Sequence, residues 1–271
     1  MNIGVDIGAS KILVVGGDDD YKILASQKFP TPHHAHQGMV EMTHVIEQVA
    51  GNKKVKSIAV AAPGPQDRKK GMILKTPNMG WEPVNVTSHL KNHFKVPVVL
   101  EKDCNVAALA EAKLGAAKGY DYVLYVTIST GVGTGIIMDG QIYHGAYDPE
   151  GGHMLIHAEN QAEELERAVS GPAIKRRFGV YGYEITQAKI WDELAHDMAQ
   201  GIYNLITTIS PSIVVMGGGV NVHFKKFEKP LIKHLKSCKP LYPLPPIVPA
   251  KFIETAPAYG ALILASKLKQ K

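Results

Sequence analysis

The chain has 271 residues, 45% of them hydrophobic and 20% charged, with a formal net charge of +5. This composition excludes a disordered or low-complexity chain, and the length lets roughly three quarters of the unfolded surface be buried without disulfides or a structural metal. At about 150 residues per domain it suits one large or two modest domains. Only two cysteines occur, Cys104 and Cys238, and their spacing fits neither a metal site nor a disulfide framework, which points to a reducing cytoplasm. The lysines are scattered without interleaved aromatics, so nucleic acid is not expected as a partner. No apolar run approaches the roughly 18 residues that span a bilayer, and Met1 to Asp6 lacks the cationic start and apolar core of a signal peptide, so neither membrane insertion nor export is expected.

In chain order, Asn2 to Ile7, Ile12 to Val15 and Tyr21 to Gln27 read as a three-strand meander. A helix from Gly38 to Val49 follows, then a strand from Ser57 to Ala62 that must stop at Pro63-Gly64-Pro65. A helix over Thr87 to Phe94, a strand at Val98 to Leu100 and an alanine-rich helix from Asn105 to Leu114 close the first half. Strand, glycine turn and strand then recur at Tyr122 to Ile128, Ser129 to Gly133 and Thr134 to Met138, with an Asp139-Gly140 hairpin into Gln141-Ile142. Apolar residues at helical spacing mark Thr186 to Ile209, followed by a strand at Ile213 to Met216, an extended connector over Leu241 to Pro249 and a last helix from Tyr259 to Leu268. The halves thus begin alike, and no proline-rich linker separates them.

Small residues in the turns Asp6-Ile7-Gly8-Ala9-Ser10-Lys11 and Ser129-Thr130-Gly131-Val132-Gly133-Thr134 let backbone amides approach an anion, although each turn alone is also an ordinary hairpin. Neither turn matches a P-loop or a dinucleotide-binding turn. Asp103, at the end of a strand and before a helix, is placed to cap that helix or to act as general base toward a sugar hydroxyl. Glu150-Gly151-Gly152-His153 sets an acceptor and an imidazole across two glycines, and Glu166 adds a carboxylate. Each of these is equally at home on a solvated surface. In Pro77-Asn78-Met79-Gly80-Trp81 the amide suits hydroxyl recognition, while the indole suits either a site or the core.

Together these segments resemble the ROK family of sugar kinases and sugar-responsive repressors, within the actin-like superfamily, over essentially the whole chain. The matching motifs are the two hairpins, Pro63-Gly64-Pro65, Pro77 to Trp81, Glu101-Lys102-Asp103-Cys104-Asn105, Glu150 to His153, Glu166 to Gly171 and Gly217-Gly218-Gly219. The resemblance implies an α/β, two-lobed actin-like fold of duplicated ribonuclease H-like units, with a small lobe at 1–104 plus 256–271 and a large lobe at 105–255. It implies ATP-dependent phosphorylation of a hexose, with Asp103 as catalytic base and Asn78, Asp103, Glu150, His153 and Glu166 as sugar ligands. Asp6, Gly8, Ala9, Ser10, Lys11, Thr130, Gly131 and Gly133 would serve the phosphates, Gly217, Gly218 and Gly219 the nucleotide, and Asp6 would lie near Mg²⁺. It further implies a cytoplasmic homodimer.

Two departures stand out. Lys102 replaces the family's usual Asn, and the cysteine cluster that holds zinc in most members is absent, since His157 to Leu165 contains no cysteine. No zinc site is therefore expected, and the loop after His153 is expected to be fixed by packing of a helix over Glu163 to Val169. The same cluster is missing from polyphosphate-dependent glucokinases of the family, which makes polyphosphate an alternative donor. A non-catalytic sugar-binding protein is the alternative from another class. The strand expected at residue 2 leaves no place for the repressors' helix-turn-helix.

Overall fold

The computed structural model describes residues 1–76 and 79–268. Its contacts divide the chain into two units, Met1–Ala110 with Thr255–Lys271, and Glu111–Glu254. The first unit begins with β1 (Asn2–Ile7), β2 (Lys11–Gly17), β3 (Ile23–Pro30), α1 (Ala35–Ala50) and β4 (Ser57–Ala62). It continues through three short strands, β5 (Gln66–Asp67), β6 (Met72–Ile73) and β7 (Val84–Asn85), to α2 (Val86–Phe94), β8 (Val98–Lys102) and α3 (Asp103–Leu114). The main sheet has the order β3-β2-β1-β4-β8. β1, β2 and β3 pair antiparallel, whereas β1, β4 and β8 run parallel.

The second unit carries β9 (Val123–Ile128), β10 (Val132–Met138), β11 (Gln141–Ile142), β12 (Leu155–Ala158), β13 (Gln161–Glu164), α4 (Leu165–Val169) and α5 (Gly171–Phe178). After these come α6 (Ala188–Ile209), β14 (Ile213–Gly217), α7 (Phe224–Ser237) and β15 (Ile247–Pro249). Its sheet order, β11-β10-β9-β14-β15, repeats the plan of the first: antiparallel hairpins, then β14 and β15 parallel to β9. The recurring strand-turn-strand pattern in the sequence is this duplication. The apolar stripe of α6, including Trp191, Leu194, Met198 and Ile202, lies in one core with Phe224, Phe227 and Leu231 of α7.

The chain returns to the first unit in α8 (Ala256–Ser266). β4 is buried along its whole length and divides its side chains by size. Ile58, Val60 and Ala62 join α1 in the large core, while Ala59 and Ala61 meet Val106, Ala261 and Ala265 on the other face. That small-residue face lets α8 approach closely. A Cβ on Gly4 would lie 2.7 Å from the Leu262 nitrogen, and one on Gly260 would collide with the Val106 carbonyl.

Several expectations needed revision. Helix 163–169 starts only at Leu165, because Gln161–Glu164 pairs with Leu155–Ala158 as a hairpin. The connector over Leu241 to Pro249 ends in β15, an edge strand beside β14 where Pro249 is tolerated. Helices α5 and α7 were not foreseen; α7 is lysine-rich and contains Pro230, yet buries Phe224, Phe227, Leu231 and Leu235. No helix among the described residues is long and apolar enough to cross a membrane.

Because rigid backbone faces the missing side chain, Gly260→Ala is expected to cost about 1–3 kcal/mol. Gly182→Ala, where a Cβ meets open space, is expected to be close to neutral. Thermal unfolding of the two variants checks both expectations.

Candidate active site

In the first unit, the parallel run of β1, β4 and β8 brings their carboxyl ends together, the place where open α/β sheets bind ligands. Asp6 pairs in register with Ala61, which pairs with Glu101, so Asp6 near the end of β1 and Asp103 just beyond β8 share one end of the sheet. Desolvation, followed by the charge of Asp103, pushes the Asp6 carboxyl up to about 7, against a pull from Lys11. The turn after Asp6 is tied down from within and without. Gly8 N–H donates to the Lys11 carbonyl at 3.0 Å, and the Thr31 hydroxyl donates to the Gly8 carbonyl at 2.6 Å. Ala9, Ser10 and Lys11 are exposed.

Asp103 is the first residue of α3, and its Oδ1 accepts the Cys104 N–H at 2.7 Å. Behind it, buried Glu101 accepts from Lys102 N–H and from Asn105 Nδ2, each at 2.9 Å. The Arg68 guanidinium lies 3.8 Å from the same carboxylate, and the Gln66 amide donates to the Ala62 carbonyl at 2.7 Å and the Glu101 carbonyl at 3.3 Å. This brace fixes the strand-to-helix turn that carries Asp103. Gln66 and Arg68 were not legible in the sequence as parts of it. Lys102 is 4% exposed and follows Val98 and Leu100 in the alternation of β8, whereas Glu101 follows Val99. Cys104 is buried.

In the second unit, the turn at 129–131 is closed by Ser129 N–H donating to the Gly131 carbonyl at 2.8 Å, and Gly171 N–H donates to the Ser129 carbonyl at 2.7 Å. Glu166 Oε2 accepts the Val132 N–H at 2.9 Å, and a Cβ on Gly131 would lie 2.6 Å from that oxygen. Glu166 therefore braces the hairpin, and as a sugar ligand it would serve turn and hydroxyl at once. Gly133 pairs with Thr127 inside the sheet. Gly217 sits against the Tyr125 ring, Gly218 takes a left-handed φ of 86° where a Cβ would lie 2.5 Å from the Ile128 carbonyl, and Gly219 faces open space.

Gly219 and Thr130 line a 770 Å³ cavity with Ser129, Gly171, Pro172, Lys175, Arg176, Tyr181 to Tyr183, Val220 and His223. The sequence reading missed Tyr181, Tyr183, Lys175 and His223, which no period or motif marks. A second cavity of 450 Å³, lined by Glu163, Glu166, Arg167 and Ser170, shares Thr130, Pro172 and Arg176 with the first.

Glu150 and His153 are exposed at a short helical turn over Gly151–His153, with His153 Nδ1 3.4 Å from Glu164 Oε2. The β12–β13 hairpin that follows turns through Glu159 and Asn160, both left-handed. Gln200 of α6 bonds the His157 backbone twice, at 3.0 and 2.9 Å, and Arg176 pairs with Glu159 at 2.8 Å. This hairpin and its pins, rather than the expected helix, fix the loop. Pro77 and Asn78 lie outside the described residues. Trp81 is core: it is 4% exposed, and its indole N–H donates to the Pro32 carbonyl at 2.8 Å.

Two sheets of one plan, each opened by a small-residue hairpin, define a duplicated actin-like fold of the kind found in sugar kinases. The ROK family profile matches residues 2–268, and the chain belongs to the ROK family. A fructokinase from Zymomonas mobilis subsp. mobilis is 34% identical over 80% of this chain and 78% of its own. The ROK hexokinase from Thermus thermophilus aligns with a TM-score of 0.84 at 26% identity, covering 97% of each chain. A ROK glucokinase from Streptomyces griseus, solved with glucose and AMPPNP, aligns at 0.83 with 25% identity, covering 98% of this chain and 99% of that one.

A carboxyl whose folded-state pKa is raised toward 7 destabilises the fold when ionised: the penalty is absent below about pH 4, the unfolded range, and complete above pH 7. Asp6→Asn is therefore expected to raise the melting temperature of metal-free protein at pH 8, with the gain shrinking as pH falls from 7 toward 4. Thermal scans across that range check it.

Proposed function

We propose that this ROK chain is a sugar kinase that moves the terminal phosphoryl group of ATP onto a hexose hydroxyl, with Asp103 as general base. The observation that carries this reading is the placement of Asp103 at the carboxyl end of parallel strands, on a turn braced by Glu101 and Asn105. As the new phosphorus–oxygen bond forms, the hexose hydroxyl proton passes to Asp103 and the bond to ADP breaks. The backbone amides of the 8–11 and 129–131 turns suit the donor phosphates, and the 770 Å³ cavity containing Thr130 and Gly219 suits the nucleoside. Asn78, Glu150, His153 and Glu166 are assigned to sugar hydroxyls, Glu166 also bracing the 129–131 hairpin through the Val132 amide.

The chemistry of the donor set fits Mg²⁺: Asp6 and Asp103 are hard carboxylate ligands that repel one another, and a divalent cation relieves that repulsion. Asp6 would hold the ion, which when bound neutralises phosphate charge. The small number and wide spacing of the cysteines, Cys104 and Cys238, accord with a cytoplasmic setting.

Asp103→Asn is expected to lower kcat by about 10²–10⁴ while leaving hexose affinity nearly unchanged, since an amide bonds a hydroxyl but does not take its proton. A coupled ADP-release assay over a hexose panel, repeated with polyphosphate as donor and read by hexose phosphate, checks activity, donor and variant together. Near wild-type turnover by the variant contradicts the role of Asp103.

Because the β12–β13 hairpin is held by Gln200 and Arg176, activity in excess Mg²⁺ is expected to survive a zinc-selective chelator, with far less than one zinc per chain by metal analysis. Gln200→Ala is expected to raise the hexose KM more than it lowers kcat. Loss of activity on chelation, restored by zinc, contradicts this account of the loop.

A further inference from the structure

The 770 Å³ cavity carries an aromatic pair in its lining. Tyr181 and Tyr183 stack with centroids 5.5 Å apart and planes within 5°, although Tyr181 is 47% and Tyr183 69% exposed. Exposed rings on a short turn have no packing reason to align, so the alignment is a preformed platform. Lys175 supports it: its ammonium lies 4.4 Å from the Tyr181 centroid and donates to the Gly179 carbonyl at 2.7 Å, joining the ring to the end of α5. The Ser129-Thr130 turn lines the same cavity as the tyrosines, so a nucleotide with its phosphates at that turn has the rings within the same pocket for its base.

Of the two lining cations, Lys175 is taken up by the Gly179 carbonyl and Arg176 by Glu159 and the Arg167 carbonyl, and the remaining polar side chains do not discriminate. Tyrosine hydroxyls both donate and accept. His223 is held below the ordinary imidazole range by burial and by the nearby Lys226 charge, so it is neutral and presents one donor and one acceptor nitrogen. Among the described residues, the cavity lining includes no Asp, Glu, Asn or Gln. A fixed carboxylate would select the N1–H and 2-amino group of guanine, and a fixed amide would favour adenine; neither lines the cavity among the described residues, and the neighbouring Glu184 carboxylate is taken up by the Tyr181 N–H at 2.6 Å.

Resting on the kinase reading above, we propose that Tyr181 and Tyr183 hold the donor base by stacking without reading its edge, so that the chain accepts purine nucleoside triphosphates with 6-amino or 6-oxo bases alike. Base-on-aromatic stacking depends little on edge chemistry and is lost when the ring is truncated.

The test is calorimetric titration of the full chain with AMPPNP and with GMPPNP, in Mg²⁺ buffer. Affinities within about tenfold of each other are expected. The Tyr181→Ala/Tyr183→Ala double variant is expected to weaken both by about 5- to 100-fold. Tyr183→Phe is expected to bind both like wild type, a rescue that loss of a hydroxyl contact would not permit. A preference above 100-fold for either analogue, unchanged affinity in the double variant, or binding of neither analogue overturns the proposal. Hexose phosphorylation by ATP and GTP, measured in parallel, separates the two readings. Binding of both analogues without transfer removes the kinase assignment and leaves the base proposal standing, whereas transfer from ATP alone does the reverse.

Discussion

Two carboxylates at one end of a single sheet impose the constraint to which the rest of the site answers. Asp6 and Asp103 are delivered by β1 and β8 on either side of β4, and neither strand can shift without moving its whole alternation to the wrong face. Desolvation, and after it the charge of Asp103, raise the Asp6 pKa, an arrangement that is costly for an empty fold and is relieved by a cation. The surrounding devices keep the pair in place. Gly4 and Gly260 admit α8 beneath the sheet, and Glu101 with Asn105 holds the turn above it.

The second unit uses the same sheet plan for a different task. Its hairpin is held from the side by Glu166, through the Val132 amide, and by the Gly171 amide at the start of α5. Because Glu166 and Ser170 line the smaller cavity while Gly171 and Pro172 line the larger one, one short stretch of chain serves both. A disturbance at the turn is thereby shared by both cavities.

Most strands of the two five-stranded sheets were legible because β-alternation, glycine turns and the repeated strand-turn-strand opening are local signals, and the family motifs fall on them; β5, β6, β7 and β15, two or three residues long, carry too little alternation to read. Asp103 was legible as a strand-end residue, whereas its first-turn position and the brace behind it come from residues up to 35 positions apart in the chain. Tyr181 and Tyr183 carried no signal, since what gives them meaning is proximity to Gly219 and Thr130, and three-dimensional neighbourhood has no period. The loop after His153 was misjudged for a related reason. Its alternation, with Ile156 and Ala158 buried and Leu155 and His157 exposed, is only four residues long, and the pins from Gln200 and Arg176 lie elsewhere in the chain.

In this account Asp103 accepts a proton and never a phosphoryl group, and the stereochemistry of transfer decides between those roles most directly. ATP made chiral at the terminal phosphorus with oxygen isotopes, reacted with a hexose on the wild-type protein, is predicted to give hexose phosphate of inverted configuration, the mark of a single in-line transfer. Retention, which requires two displacements through a phosphorylated carboxylate, would contradict the account.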